Sequence, residues 1–243
     1  MAPRNGVAKR KPAASKATKE KQVAAALMAP TPETAVGTEN PGAGPSTAVP
    51  DEGPVYFWRE THPATGYLSQ WYACPFHDPK DPSKIYRTAE HYMMHHKALL
   101  FGDAAIAAKV LVAGHPRTVK GLGRKVKNFD EAVWVRERLR IVEQGTVAKF
   151  TCATVDETEL KRGSGANAAK AMDVGESLRS LLLSTGDREL VEASPFDRIW
   201  GVGFTAENAK GQRENWGENL LGKALMAVRE SFRREDAETK EGK

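Results

Sequence analysis

A carboxylate and an amine that stand seven residues apart form the most promising group for chemistry in this sequence. Glu90 and Lys97 belong to the segment T-A-E-H-Y-M-M-H-H-K, which begins at Thr88 and has a helical pattern. On a helix this spacing leaves the two side chains about 20° apart around the axis and about 10 Å apart along it. The two residues therefore share one face without touching. They are either a functional acid/base pair or two solvated charges.

Two histidines in the same segment, His91 and His95, have the four-residue spacing that can hold a metal ion on a helix. A zinc-protease motif would need Glu at position 92, where this chain has Tyr, and the sequence signals no third ligand. We therefore predict no metal site, and we interpret both histidines as hydrogen-bonded side chains. No cofactor is predicted.

Two glycines in the segment G-V-G-F-T-A, Gly201 and Gly203, match a permissive form of the dinucleotide-binding fingerprint. In a true dinucleotide site a helix follows the glycines at once, whereas here the sequence continues as a loop. These glycines are better explained by a close approach of the backbone to another backbone or to a ligand.

An acid, a base and an indole follow one another in the segment from Glu192 to Gly201, as Asp197, Arg198 and Trp200. Asp197 either acts on a substrate or caps the turn beside Arg198, with Trp200 in the core. The chain has no G-x-S-x-G elbow, no Walker loop and no Cys/His nucleophile pair, so no motif supports acyl transfer or nucleotide hydrolysis.

The elements that position these residues are predicted to form one domain over residues 55–233. Residues 1–54 contain no aromatic residue and are rich in Ala, Pro, Thr, Lys and Gly, which predicts a disordered arm. Seven Lys or Arg residues against one Glu in residues 1–22 account for the net charge of +5, so the remainder is close to neutral. The cluster Lys9-Arg10-Lys11 is either a nuclear localisation signal or part of a solvated tail. Residues 234–243 are predicted to be a charged tail.

The predicted fold is α+β, a single α-rich domain with helices packed around a small sheet. Patterns and capping residues predict helices over 88–101, 103–113, from about 130, 176–184 and 217–233, with short strands within 55–86, 189–193 and 198–203. Two cysteines and the lack of a run of about 20 apolar residues favour a soluble, intracellular, cytoplasmic or nuclear monomer. The predicted core residues are Trp134, Leu139, Val142, Leu182, Ile199, Leu221 and Leu225.

Several motifs, taken in order over residues 56–232, resemble the NADAR superfamily, which is named for an inferred tie to NAD and ADP-ribose. They are Y-L-S-Q-W-Y from Tyr67, the Thr88 to Lys97 segment, F-G-D from Phe101, L-G-R from Leu122, A-K-F from Ala148, L-L-L from Leu181, T-G-D from Thr185, the Glu192 to Gly203 segment, and W-G-x-N-L-L-G from Trp216. Gln70 replaces the usual Asn of the first motif. Residues 151–176 form an insertion that is expected to be a surface loop or an extra helix near the cleft.

This resemblance implies an N-glycosidase that releases ADP-ribose from a guanine base in nucleic acid or nucleotides. One alternative is an N-glycosidase of ribosylamino-pyrimidine intermediates of the riboflavin pathway, and another is a non-catalytic ADP-ribose-binding module. A third possibility is DNA binding through the basic arm, which we expect to assist a nucleic-acid substrate at most.

The resemblance and the chemistry of the bond together assign the site residues. Glu90 is expected to be the general acid/base, Asp197 to orient ribose hydroxyls or water, and Trp200 to be a platform. Lys97 is either an electrostatic clamp or a nucleophile that forms a Schiff base, with Lys149 as the fallback nucleophile. The expected substrate-binding residues are Ser69, Trp71, Tyr72, His91, Arg124, Lys149, Trp200, Gly201, Gly203, Trp216 and Asn219.

Overall fold

Helices dominate the part of the chain that the structure, a computed structural model, describes, namely residues 53–154 and 178–242. The predicted α-rich α+β class is confirmed. The strands are β1 (Val55–Phe57), β2 (Phe76–Asp78), β3 (Asp81–Tyr86) and β4 (Leu190–Glu192). The helices are α1 (Ala89–Leu100), α2 (Ala104–Val112), α3 (Pro116–Gly123), α4 (Glu131–Thr151), α5 (residues 178–183), α6 (Ala206–Ala209) and α7 (Leu220–Glu241).

The strands pair as two separate two-stranded sheets. β1 and β4 are parallel, with Val55 opposite Leu190, so the first strand of the domain pairs with one that lies far along the chain. β2 and β3 are antiparallel, with Phe76 opposite Tyr86. Parallel pairing brings the carboxyl ends of β1 and β4 to the same edge.

Capping side chains explain where the helices begin. The carboxylate of Asp103 accepts a hydrogen bond from the amide of Ile106 (3.0 Å) at the start of α2, and Asp130 accepts one from Val133 (2.9 Å) at the start of α4. α3 was not predicted, because Pro116 was interpreted only as the end of the preceding helix. In the structure Pro116 occupies the first turn of α3, where a proline needs no amide partner.

The core surrounds α1, which packs against α2, α3 and α4. Gly145 allows a close approach of α4 to α1, because a Cβ atom there would lie 2.6 Å from the ring of Tyr92. Of the predicted core residues, Val142, Leu182, Leu221 and Leu225 are buried, while Trp134 and Leu139 are partly buried. The prediction for Ile199 is wrong. Its side chain is 44% exposed, because it lies in a loop at the rim of a cavity.

Two predicted elements differ from the structure, one in its type and the other in its bounds. Residues 198–203 form bends and a loop, not a strand. The C-terminal helix begins at Leu220 and continues to Glu241, through most of the expected charged tail. Bidentate hydrogen bonds from Arg179 to Asp236 (2.7 and 3.2 Å) hold this extension against α5. Residues 1–52 of the predicted arm (1–54) and residues 155–176 of the insertion (151–176) lie outside the described residues.

Candidate active site

A cavity of about 800 Å³ lies between the loop at residues 69–71, helices α1, α3 and α4, and the loop that follows β4. We call it the active-site cavity. Its charged and aromatic lining residues are Glu60, Glu90, Glu192, Asp197, Arg59, Lys97, Lys120, Arg124, Arg198, Trp58, Trp71, Trp134, Phe196 and Trp200. Seven of the predicted site residues line it: Ser69, Trp71, Glu90, Lys97, Arg124, Asp197 and Trp200.

The carboxyl group of Glu90 enters this cavity from the first turn of α1. The residue is only 4% exposed, and its Oε1 atom is buried with no hydrogen-bond partner among the described residues. The amide of Glu90 donates to the carbonyl of Gln70 (3.0 Å), so the loop at residues 69–71 holds the backbone of Glu90 in place. Burial raises the pKa of Glu90 to about 7, Asp197 adds to the rise, and Lys120, Trp71 and Arg124 oppose it. Both protonation states are therefore populated near neutral pH.

Lys97 lies on the same face of α1, as its spacing from Glu90 predicts. Its Nζ atom is 4.2 Å from the ring centre of Phe129 and 5.1 Å from that of Trp134. Burial lowers the pKa of Lys97, while the charge of Glu90 raises it. The charge of Glu90 therefore acts on the amine of Lys97, and both groups line one cavity.

Asp197 caps a turn, as one of the two interpretations predicted, and its side chain also lines the cavity. Its Oδ1 atom accepts hydrogen bonds from the amides of Ile199 (3.0 Å) and Trp200 (2.8 Å), so the residue caps the turn. Its Oδ2 atom lies 3.9 Å from Nζ of Lys120 at the cavity wall. The indole of Trp200 is half-buried and lines the cavity while packing against the core.

Two important lining residues were missed by the sequence analysis. Lys120 was not assigned because α3 was not predicted. Glu192 was noted only as the start of a segment, yet its carboxyl group reaches the cavity, and Oε2 is buried with no partner among the described residues. Its place at the carboxyl end of β4 was an available signal, because ligands of sheets with parallel strands bind at that edge.

The mouth of the cavity is cationic and aromatic. Lys120 and Arg124 are exposed on α3 and at its end, and the guanidinium of Arg59 lies 3.9 Å from the ring centre of Trp58. Phe196 is 85% exposed, with its ring centre 6.0 Å from that of Trp58. This rim can contact both phosphates and flat rings.

Seven of the expected substrate-binding and catalytic positions do not line this cavity, and several of them support its walls instead. The buried amine of Lys149 donates to the carbonyls of Tyr67 (2.6 Å) and Ser69 (2.9 Å), and burial lowers the pKa of Lys149 to about 8. His91 uses both ring nitrogens, on the hydroxyl of Thr88 (2.8 Å) and the carbonyl of Ala113 (3.0 Å). The residues outside the lining are Tyr72, His91, Lys149, Gly201, Gly203, Trp216 and Asn219.

Asn219 and Gly201 hold the strand that carries Glu192. Asn219 has a left-handed backbone (φ 51°), and its side chain accepts from the amide of Glu192 (3.0 Å) and donates to the carbonyl of Leu190 (2.9 Å). A Cβ atom at Gly201 would lie 2.6 Å from the carbonyl oxygen of Glu192. Gly203 has a positive φ (79°), where a Cβ atom would collide with the side chain of Arg198 (2.7 Å). Trp216 packs with Val191 in a small second cluster.

The described residues contain no group of three or more His, Cys, Asp or Glu side chains that could hold a metal ion. Nδ1 of His95 lies 3.0 Å from the hydroxyl of Tyr86, away from both ring nitrogens of His91 and their partners. No helix in the described part of the chain is long and apolar enough to cross a bilayer.

Helices packed around two small sheets, with one cavity lined by a buried carboxyl group and an amine, define an α+β protein with a candidate acid/base site. The chain belongs to the NADAR family, whose domain pattern matches residues 56–233. The resemblance found in the motifs is thereby confirmed.

Similar proteins include two N-glycosidases. One, from Acanthamoeba polyphaga mimivirus, is 38% identical over 167 residues, which is 67% of this chain and 85% of the relative. The other, from Nostoc punctiforme, is 32% identical over 146 residues, or 60% of this chain and 74% of the relative. The solution structure of the Escherichia coli protein YbiA superposes with a TM-score of 0.55 at 22% identity, covering 76% of this chain and 88% of that one. This likeness concerns the fold.

Proposed function

We propose that this protein is an N-glycosidase that hydrolyses the bond between ADP-ribose and a guanine base. The class of reaction is supported by the two N-glycosidase relatives within the same family. The observation that carries the proposal is the buried carboxyl group of Glu90, whose Oε1 atom has no partner among the described residues and which shares the active-site cavity with the amine of Lys97.

Glu90 is the general acid/base of the proposed reaction. An N-glycosidic bond breaks when charge at the anomeric carbon is stabilised and a proton reaches the departing nitrogen. A pKa near 7 lets Glu90 accept and return a proton at neutral pH, as an efficient acid/base group must. The ammonium of Lys97, which lines the same cavity, is the proposed source of that proton.

Lys97 is proposed to be the nucleophile. After the ammonium has given a proton to Glu90, the amine attacks the anomeric carbon, and the electron pair of the C–N bond leaves with the base, which takes up a proton. The ribose ring then opens, so that the anomeric carbon and Nζ form a Schiff base. Water adds to this carbon, the amine departs and recovers a proton, and ADP-ribose is released.

The walls of the cavity suit an ADP-ribosyl group. Lys120, Arg124 and Arg59 complement a diphosphate, and Trp71 and Trp200 offer apolar faces to the sugar and the rings. A volume of about 800 Å³ falls in the usual range of ligand sites, about 300 to 1,000 Å³.

A ribosylamino-pyrimidine phosphate of the riboflavin pathway is the second candidate substrate, because it contains the same kind of bond. This substrate carries a single phosphate, which needs fewer cationic side chains than the cavity wall provides. A non-catalytic ADP-ribose-binding module is disfavoured by the buried carboxyl groups, since burying an unpaired carboxyl group costs stability and a binding pocket does not need one.

The test compares release of the base from ADP-ribosyl-guanosine, from an oligonucleotide that carries the same modification, and from a ribosylamino-pyrimidine phosphate, followed by liquid chromatography. We expect turnover of the two guanine substrates. Glu90→Gln should lose about 10²-fold to 10⁴-fold in rate while keeping its affinity for ADP-ribose. Glu207→Gln, at an exposed position on α6, is the matched control. Lost affinity with an unchanged maximal rate would make Glu90 a ligand-holding residue, and turnover of the pyrimidine substrate alone would refute the guanine assignment.

Borohydride reduction during turnover tests the nucleophile. A covalent ADP-ribosyl adduct on Lys97, located by mass spectrometry, is the expected result. If no adduct forms and Lys97→Arg retains substantial activity, Lys97 is an electrostatic clamp instead.

A further inference from the structure

Two buried carboxyl oxygens in the active-site cavity have no hydrogen-bond partner among the described residues. They are Oε1 of Glu90 and Oε2 of Glu192, which enter the cavity from α1 and from the end of β4. An unpaired buried carboxyl group costs free energy, and folded proteins rarely keep one without a reason. A bound ligand that supplies partners for both groups is such a reason.

The backbone of Glu192 is held from several sides, so its side chain has a defined direction. Its amide donates to Oδ1 of Asn219 (3.0 Å), and its carbonyl accepts from the amide of Val202 (2.9 Å). Gly201 lies so close to the same carbonyl that a Cβ atom would be 2.6 Å away. Precise placement of this kind is what a proton-transferring group needs.

Asp197, the other acid in this loop, is engaged by protein groups at both of its carboxylate oxygens. Its Oδ1 atom accepts two backbone hydrogen bonds, from Ile199 and Trp200, and its Oδ2 atom faces the ammonium of Lys120 at 3.9 Å.

Glu192 has the opposite surroundings. Burial raises the pKa of Glu192 to about 8, with the charges of Asp197 and Glu90 adding to the rise and Lys120 opposing it. At neutral pH the group therefore holds a proton that it can give away.

We propose that Glu192 is a second catalytic acid, which protonates the departing base while Glu90 exchanges its proton with Lys97. This inference rests on the proposed function. Glu192 gives its proton to the base nitrogen as the C–N bond breaks and is then reprotonated from solvent, while the water that attacks the Schiff base releases its surplus proton to solvent. Glu90 holds the proton of Lys97 in the meantime and returns it when the amine departs. The balance is one glycoside and one water converted into ADP-ribose and a free base.

Two partial reactions separate the roles. Base release is measured in single-turnover experiments with ADP-ribosyl-guanosine. Schiff-base formation from free ADP-ribose, an aldehyde in its open form, is measured by borohydride trapping and involves no leaving base. We expect Glu192→Gln to slow base release by about 10²-fold to 10⁴-fold and to leave both the trapped Lys97 adduct and the ADP-ribose affinity within threefold of wild type. Glu207→Gln should change neither reaction.

Several outcomes would overturn the assignment. Base release at the wild-type rate in Glu192→Gln would exclude a required acid, and loss of ADP-ribose affinity with normal release at saturation would make Glu192 a binding residue. Should Glu192→Gln fail to fold by circular dichroism, Glu192→Asp, which keeps an acid one methylene shorter, should show the same split between the partial reactions. A wild-type protein inactive on the guanine and pyrimidine substrates would refute the proposed function itself, whereas an active wild type with a fully active Glu192→Gln would refute only this assignment.

Discussion

At the scale of single residues, the site is built from groups that are unfavourable to bury. Glu90 and Lys149 are almost fully enclosed. Lys149 donates to the carbonyls of Tyr67 and Ser69, whereas Oε1 of Glu90 has no hydrogen-bond partner among the described residues. The unpaired acid faces the cavity and the paired amine supports the wall behind it. Replacing Glu90 should therefore stabilise the protein, whereas replacing Lys149 should destabilise it.

Glu90→Gln should stabilise the protein at high pH. The pKa of Glu90 is raised from 4.5 to about 7 in the folded state, so its favourable contribution is complete below pH 4.5 and is lost as the pH rises through about 7. The gain in unfolding free energy from Glu90→Gln should thus grow by about 2 kcal/mol between pH 5.5 and pH 8.5. Urea denaturation at the two pH values measures it. A gain that is equal at both values, or one that Glu207→Gln shows as well, would contradict the expected burial.

Lys149→Met should destabilise the protein by about 1–3 kcal/mol, because the carbonyls of Tyr67 and Ser69 lose their charged donor. Urea denaturation is again the measurement, with Lys223→Met at an exposed position of α7 as the control. The borohydride adduct on Lys97 should persist in the variant, because Lys149 does not line the cavity. Loss of the adduct without loss of stability would restore Lys149 as the nucleophile.

At the scale of elements, two loops and α3 bring the reacting groups together. The sequence predicted α1, α2 and α4 well, because their capping residues and apolar spacing are local signals. The predicted strand over residues 198–203 is wrong. These residues are of β-forming types, but they make a loop because Asp197 caps the turn. Lys120 was missed together with α3, and Glu192 was missed because its place in the cavity depends on the pairing of β4 with the distant β1.

Asn219 joins the start of α7 to β4, and Asn219→Ala should reduce both stability and activity. The variant loses the acceptor for the amide of Glu192 and the donor to the carbonyl of Leu190, which we expect to cost about 1–3 kcal/mol. Base release at saturating substrate should fall more than ADP-ribose affinity, because Asn219 positions an acid without lining the cavity. Asn208→Ala, on the exposed side of α6, is the control. A variant that loses stability but keeps the full rate would limit Asn219 to a structural role.

At the scale of the whole molecule, the domain boundary remains a prediction. Trypsin should leave a resistant fragment that begins at Gln22, because no Lys or Arg lies between Lys21 and Arg59 and because Arg59 follows β1 within the folded domain. N-terminal sequencing identifies the first residue. A fragment without residues 1–21 should hydrolyse ADP-ribosyl-guanosine at the rate of the intact chain. Protection of sites before Lys21, or digestion of the domain to small peptides, would place the boundary elsewhere.

The parallel pairing of β1 with β4 also determines when the site can exist during synthesis. Val55 pairs with Leu190, which lies 135 residues later in the chain. β4 in turn packs against α7, the last helix of the described residues. Pairings between residues so far apart in the chain form slowly, because closing the long intervening loop costs conformational entropy. Trp58, just after β1, and Glu192, at the end of β4, can therefore share a cavity only when nearly the whole domain has left the ribosome. A nascent or truncated chain would carry the Glu90 and Lys97 pair on its helix but lack the opposite wall, so hydrolytic activity should appear in one late step of folding.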